Sequence, residues 1–141
     1  MKYVIDSSIA ARWCLTNPDF AKAHNLRIDF HMGIHELLAP DIFPTDCAEL
    51  FVKAERKGDI PPGDAAIGVD DLLLVGVPLR PSFPLLKRAA AISLTTRLTV
   101  FASLYVACAE RENCELLTAD QKLIRKIRKQ FSFVTDFATL R

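Results

Sequence analysis

Apolar and polar positions alternate along the chain so as to sort it into short strands and longer helices. Lys2 to Ile5 is a brief β-type run stopped by Asp6-Ser7-Ser8, a group able to cap a helix, and residues 9–15 then take helical character until Asn17-Pro18. Within residues 20–32, Ala23, Leu26 and Phe30 recur at helical spacing, and Gly33 closes the run. Leu37-Leu38-Ala39 predicts a second strand ended by Pro40-Asp41, and residues 43–57 predict a helix stopped by Gly58. After Pro61-Pro62-Gly63 come a helix over 64–74, a proline-rich extended stretch over 77–81, and a helix with Pro84 in its first turn that runs to about Thr95. The last third predicts a helix over 99–112, with Phe101, Leu104, Tyr105 and Cys108 on one face. A strand over 115–118, a helix over 120–130 and a strand over 131–134 follow. Strands alternating with helices define an α/β domain with a mostly parallel sheet, and the 141 residues are expected to form a single domain.

Composition narrows the class. Half of the residues are apolar and a quarter are charged, which excludes disorder, collagen and a disulfide-rich miniprotein. The longest apolar stretch, 98–109, has 12 residues where a membrane span needs about 20, so no membrane helix is expected. Asp6 interrupts the N-terminus too early for a signal peptide. Cys14, Cys47, Cys108 and Cys114 have no regular spacing and read as reduced thiols of a cytoplasmic protein.

The acids at predicted strand ends carry the candidate chemistry. Ligands of open α/β sheets bind beyond the carboxyl ends of the strands. Asp6 directly follows the first strand, Asp120 follows the Glu115–Thr118 strand by one residue, and Asp46 and Glu49 lie early in the helix after the second strand. At about 4 Å and an effective dielectric near 20, each pair of carboxylates costs roughly 4 kcal/mol, and a hard cation such as Mg²⁺ or Mn²⁺ relieves it. Such a cation assists phosphodiester hydrolysis. An Asp before a helix is also an ordinary cap, so spacing alone leaves both roles open.

Local strings add to this. KYVIDSSIA, LLAPDIFPTDCAELFVKAERKG and RLTVFASLYVACAERENCELLTADQKLIRKI, in that order over most of the chain, resemble PIN-domain ribonucleases, particularly toxins of the VapC type. The resemblance implies a three-layer α/β/α fold, RNA cleavage with Mg²⁺ or Mn²⁺, a partner antitoxin and a homodimer. It aligns Asp6, Asp46 and Asp120 with the family's catalytic, metal-binding acids, and Ser8, Thr118 and Glu49 with supporting positions. One position departs. Where the family carries Asp-x-x-Tyr, this chain reads Ala102-Ser103-Leu104-Tyr105, and the next acid, Glu110, lies about two turns on. The site is one carboxylate short, which predicts weakened or absent nuclease activity. The alternative is a non-catalytic PIN-like module that binds RNA or an antitoxin, and a more distant one is a binding domain whose acids only cap helices.

Other signals are weaker. His31 and His35 flank Gly33, which ends any shared helix, so they are not read as a metal pair; Trp13 and Tyr3 read as packing residues. A net charge of +1 taken alone argues against nucleic acid, but residues 1–70 carry 7 basic and 11 acidic side chains, and residues 71–141 carry 11 and 6. Lys122, Arg125, Lys126, Arg128 and Lys129 follow Asp120 without an intervening acid, a run suited to an RNA backbone beside an acidic pocket. Arg12 and Lys53 are unplaced possible contributors, and the helices over 20–32 and 43–57, the latter with Phe43, Leu50 and Phe51, are candidate partner surfaces.

Overall fold

A computed structural model describes residues 1–15 and 20–140. The predicted break at Asn17-Pro18 lies outside the described residues. Strand β1 (Lys2–Ile5) leads through α1 (Ser7–Cys14) and α2 (Phe20–His31) to β2 (Glu36–Pro40). Helices α3 (Phe43–Arg56) and α4 (Asp64–Val75) then lead to the two-residue β3 (Leu79–Arg80). A 3₁₀ turn (Phe83–Leu85), α5 (Leu86–Thr96) and α6 (Val100–Arg111) precede β4 (Glu115–Thr118). The chain closes with α7 (Gln121–Ile127), β5 (Val134–Asp136) and a 3₁₀ turn (Phe137–Thr139).

The five strands form one sheet in the order β3-β2-β1-β4-β5, and every pairing is parallel. The sheet is therefore wholly parallel, a stricter form of the mostly parallel one expected. Parallel sheets are covered on both faces and favour continuous apolar runs. Val4, Ile5, Leu37, Leu38, Leu116 and Leu117 accordingly have no exposed surface. Helices α1 to α4 pack on one another, while α5 pairs with α6 and α6 lies against β1, β2 and β4. From β1 the chain crosses over to β2 on one side, and from β4 it crosses to β5 on the other. The strand order thus reverses at the boundary between β1 and β4, where open α/β sheets place their ligands.

Local signals explain most boundaries. Gly33 and Gly58 stop α2 and α3 with φ of 76° and 80°, backbone that glycine adopts without strain. Thr99 caps α6 by accepting from the Ala102 amide. Two boundaries move by three residues. The helix predicted over 120–130 ends at Ile127, whose carbonyl accepts the amides of Gln130 and Phe131, and Phe131 turns into the core. The strand predicted over 131–134 forms instead at Val134–Asp136, because pairing with Leu116, Leu117 and Thr118 of β4 sets its register.

Two readings of side-chain faces also change. Phe101 is 66% exposed, unlike Leu104, Tyr105 and Cys108 on the same helix. Phe43 and Phe51 are core residues and Leu50 is half-buried, so α3 does not offer the apolar partner face expected of it. Helix α2 does expose Phe20 and Ile28, and Met32 beyond it. Trp13 packs as expected and donates to the Ala23 carbonyl at 2.8 Å, and Tyr3 is buried. All four cysteines are free. No single helix among the described residues is long and apolar enough to cross a membrane.

Candidate active site

Parallel pairing brings the ends of β1 and β4 side by side, with Ile5 in register with Leu117. The next residue of the first strand is Asp6, and the next of the second is Thr118. Asp6 is 7% exposed and held by donors from two elements. Its Oδ1 accepts from the Ser8 amide at 3.1 Å and the Ser8 hydroxyl at 2.5 Å, and its Oδ2 accepts from the Thr118 hydroxyl at 2.5 Å. Thr118 Oγ1 in turn accepts the Asp120 amide at 3.1 Å, and Ser8 Oγ accepts the Ala119 amide at 2.9 Å. Two hydroxyls thus tie the β1–α1 turn to the β4–α7 turn across the switch point.

Burial is the largest influence on Asp6. It pushes the carboxyl up to about 6; the bonds from Ser8 and Thr118 pull it back, and the nearby Asp120 charge raises it further. Asp120 itself is exposed and caps α7 through Oδ1, which accepts the amides of Lys122 and Leu123. Its Oδ2 makes no bond among the described residues. Asp46, in the first turn of α3, is half-buried, and its Oδ2 accepts from the Tyr105 hydroxyl of α6 at 2.8 Å. Burial and the Asp46 charge hold the Tyr105 phenol well above its usual range, so it stays a donor. Asp6 and Asp120 therefore both cap helices, and the Asp120 charge reaches Asp6.

Ala102 lies one helical turn before Tyr105 on α6, half-buried, on the side from which Tyr105 reaches Asp46. It carries no carboxylate, and the first acid on α6 is Glu110. The donor set is hard oxygen under mutual repulsion, and each bonded carboxylate oxygen keeps a second lone pair. That chemistry fits Mg²⁺ or Mn²⁺, which binds through one or two carboxylates and completes its shell with water. It falls short of a closed cage, since no group of three or more His, Cys, Asp or Glu among the described residues could hold a metal ion.

Glu49 is exposed and bonds to none of the other acids. It lines, with Asp41, Thr45, Asp46, Lys53 and Phe101, a groove of about 550 Å³ between α3 and the start of α6. Lys122, Arg125, Lys126, Arg128 and Lys129 are all exposed, the first three on α7 and the last two beyond its end. The sequence puts Tyr105 on one helix face and in the family's Asp-x-x-Tyr string but does not reveal its bond to Asp46. Nor does it reveal the place of Asp41, which follows β2 on the same sheet edge and accepts from Ser82, or the exposure of Phe101. A place in the family's Asp-x-x-Tyr string was the one signal for Tyr105. The positions of Asp41 and Phe101 depend on neighbours far apart in sequence.

The PIN domain pattern matches residues 3–129, nine-tenths of the chain. The chain belongs to the PIN domain family. PIN folds are generally those of nucleases. In shape this PIN domain is similar to the crystal structure of PAE2754 from Pyrobaculum aerophilum, with a TM-score of 0.71 at 19% identity, covering 99% of this chain and 86% of that one. That likeness is one of fold. No curated protein matches the PIN chain in sequence.

Proposed function

We propose that this PIN domain, residues 1–141 acting as one unit, is a metal-dependent endoribonuclease of the VapC toxin type whose activity is weakened by Ala102. The observation that carries the reading is the cross-bonded Asp6–Ser8–Thr118–Asp120 turn pair at the switch point of the sheet. Asp6 and Asp120 would hold Mg²⁺ or Mn²⁺, with Asp46 completing the acidic wall. The cation supplies activation of the attacking water and charge compensation for the phosphate oxygens. Thr118 and Ser8 fix the Asp6 carboxylate, and Tyr105 fixes Asp46. Glu49 stands at the groove entrance, and Lys122, Arg125 and Lys126 bind the RNA backbone. Neutralising any one of these three should reduce the salt slope of single-strand binding by about 0.7.

A small partner protein and a homodimer belong to the same reading, and the exposed Phe20, Ile28 and Met32 of the α2 region support a surface for one of them. One observation favours a second reading, a module that binds RNA without cutting it: no three-acid group forms among the described residues, and Asp6 already has both oxygens bonded. Cleavage of a structured RNA in Mn²⁺ separates them. The nuclease reading expects Ala102→Asp to cut faster than the parent chain and Asp6→Asn to cut nothing. If Ala102→Asp leaves RNA intact while the parent chain binds it, the second reading replaces the first.

A further inference from the structure

The groove between α3 and the start of α6 has properties that cleavage alone does not use. Asp41, Asp46 and Glu49 face a single ammonium, that of Lys53, so the lining repels phosphate and attracts hydrogen-bond donors. Phe101, at the rim and directly before Ala102, exposes 66% of its surface. An exposed ring beside a cavity is a platform on which any nucleobase can stack. Glu49 has no hydrogen bond or ion pair among the described residues, and as a carboxylate it only accepts. The exocyclic amino groups of cytosine, adenine and guanine are donors of the kind it lacks.

The phosphates have somewhere else to go. Lys122, Arg125 and Lys126 are carried by α7, which starts at Asp120, whereas the groove is walled by α3 and α6. All three are exposed, and none of them pairs with an acid among the described residues. Charge therefore sorts the two halves of a nucleotide, with backbone toward α7 and base toward Phe101. At about 550 Å³ the groove also has the size of an ordinary small-ligand site.

We propose that the groove takes one unpaired, amino-bearing nucleobase of the RNA, stacked on Phe101 with its amino group donating to Glu49. The proposal rests on the nuclease reading and deepens it, because it makes the substrate single-stranded next to the cut. A base in a duplex has its faces stacked and its edge paired, and cannot enter.

Fluorescence anisotropy with labelled ten-nucleotide RNAs, in EDTA so that no strand is cut, tests this. The parent chain should bind a cytidine run more tightly than a uridine run, and either more tightly than the same length of duplex. Phe101→Ala should weaken single-strand binding about tenfold with an unchanged salt slope, and Phe101→Trp should restore it. Glu49→Gln should erase the preference for cytidine. Phe101 is exposed, so its replacement leaves the fold intact. Equal binding by the parent chain and Phe101→Ala overturns the proposal and leaves the nuclease reading standing, since α7 still holds the strand. Absence of binding to every RNA overturns both. If N-acetyl-arginine amide shifts the Phe101 ring resonances and cytidine monophosphate does not, the groove belongs to a protein partner's guanidinium and the proposal falls.

Discussion

Replacing Asp6 by Asn should stabilise the protein while removing its candidate metal ligand. The carboxyl is 7% exposed and burial raises it to about 6, against an ordinary value near 3.8. The folded state therefore holds a proton that the unfolded state has lost between those two values. By linkage, an acid raised on folding favours the fold below about pH 4, loses that advantage as pH climbs to about 6, and costs stability above it. A displacement of about two units at about 1.4 kcal/mol each gives roughly 3 kcal/mol at pH 7.5. Asn is close in shape to the protonated acid. Its carbonyl oxygen can keep both Ser8 bonds, and its amide can donate to Thr118 Oγ1, so the network survives.

The assay is urea denaturation of both proteins in EDTA at several pH values. Asp6→Asn should match the parent near pH 4 and exceed it by roughly 3 kcal/mol at pH 7.5, equivalent to about 10 °C in Tm for a chain this long. A constant difference across the range would refute the reasoning and show that Asp6 is solvated and carries no strain of charge. Saturating Mn²⁺ should narrow the gap at pH 7.5, because a cation bound only to the folded parent stabilises that form alone.

Two other substitutions probe the surroundings. Tyr105→Phe removes the 2.8 Å bond to Asp46; bonds to charged groups contribute about 1.5–3 kcal/mol, but half-buried Asp46 can rehydrate, so urea melts should show a loss of about 1 kcal/mol. Gly68→Ala sets about 1 kcal/mol of helix propensity against a new Cβ 3.1 Å from the fully buried Phe51 ring. Overpacking costs about 1–3 kcal/mol, so thermal melts should show net destabilisation, and a rise in Tm would mean that Phe51 can move.

Much of the architecture was legible because each of its signals is local. Gly33 and Gly58, Pro84, and the apolar run Leu116-Leu117 each act within a few residues, and the elements they delimit stand where the pattern placed them. Asp6 and Asp120 were legible for the same reason, since a residue just past a strand sits at the sheet edge whatever else folds. What could not be read depends on distant partners. The register of β5 is set by β4, and the end of α7 by the burial of Phe131. Tyr105 meets Asp46 across 59 residues of sequence. Helical periodicity put Phe101 with its buried neighbours, yet the ring, in the first turn of α6, stands in solvent. The net charge of +1 is uninformative for a similar reason, because a sum of charges does not locate them.

Isothermal titration of Mn²⁺ into the metal-free protein tests the central claim most directly, that Ala102 occupies the place of a missing carboxylate in a metal site built on Asp6 and Asp120. Ala102→Asp should bind Mn²⁺ at least about tenfold more tightly than the parent chain, a gain of roughly 1.4 kcal/mol, and adding Asp6→Asn to it should abolish that gain. If Ala102→Asp binds no more tightly than the parent, position 102 does not face the acids, and the depleted metal site is refuted.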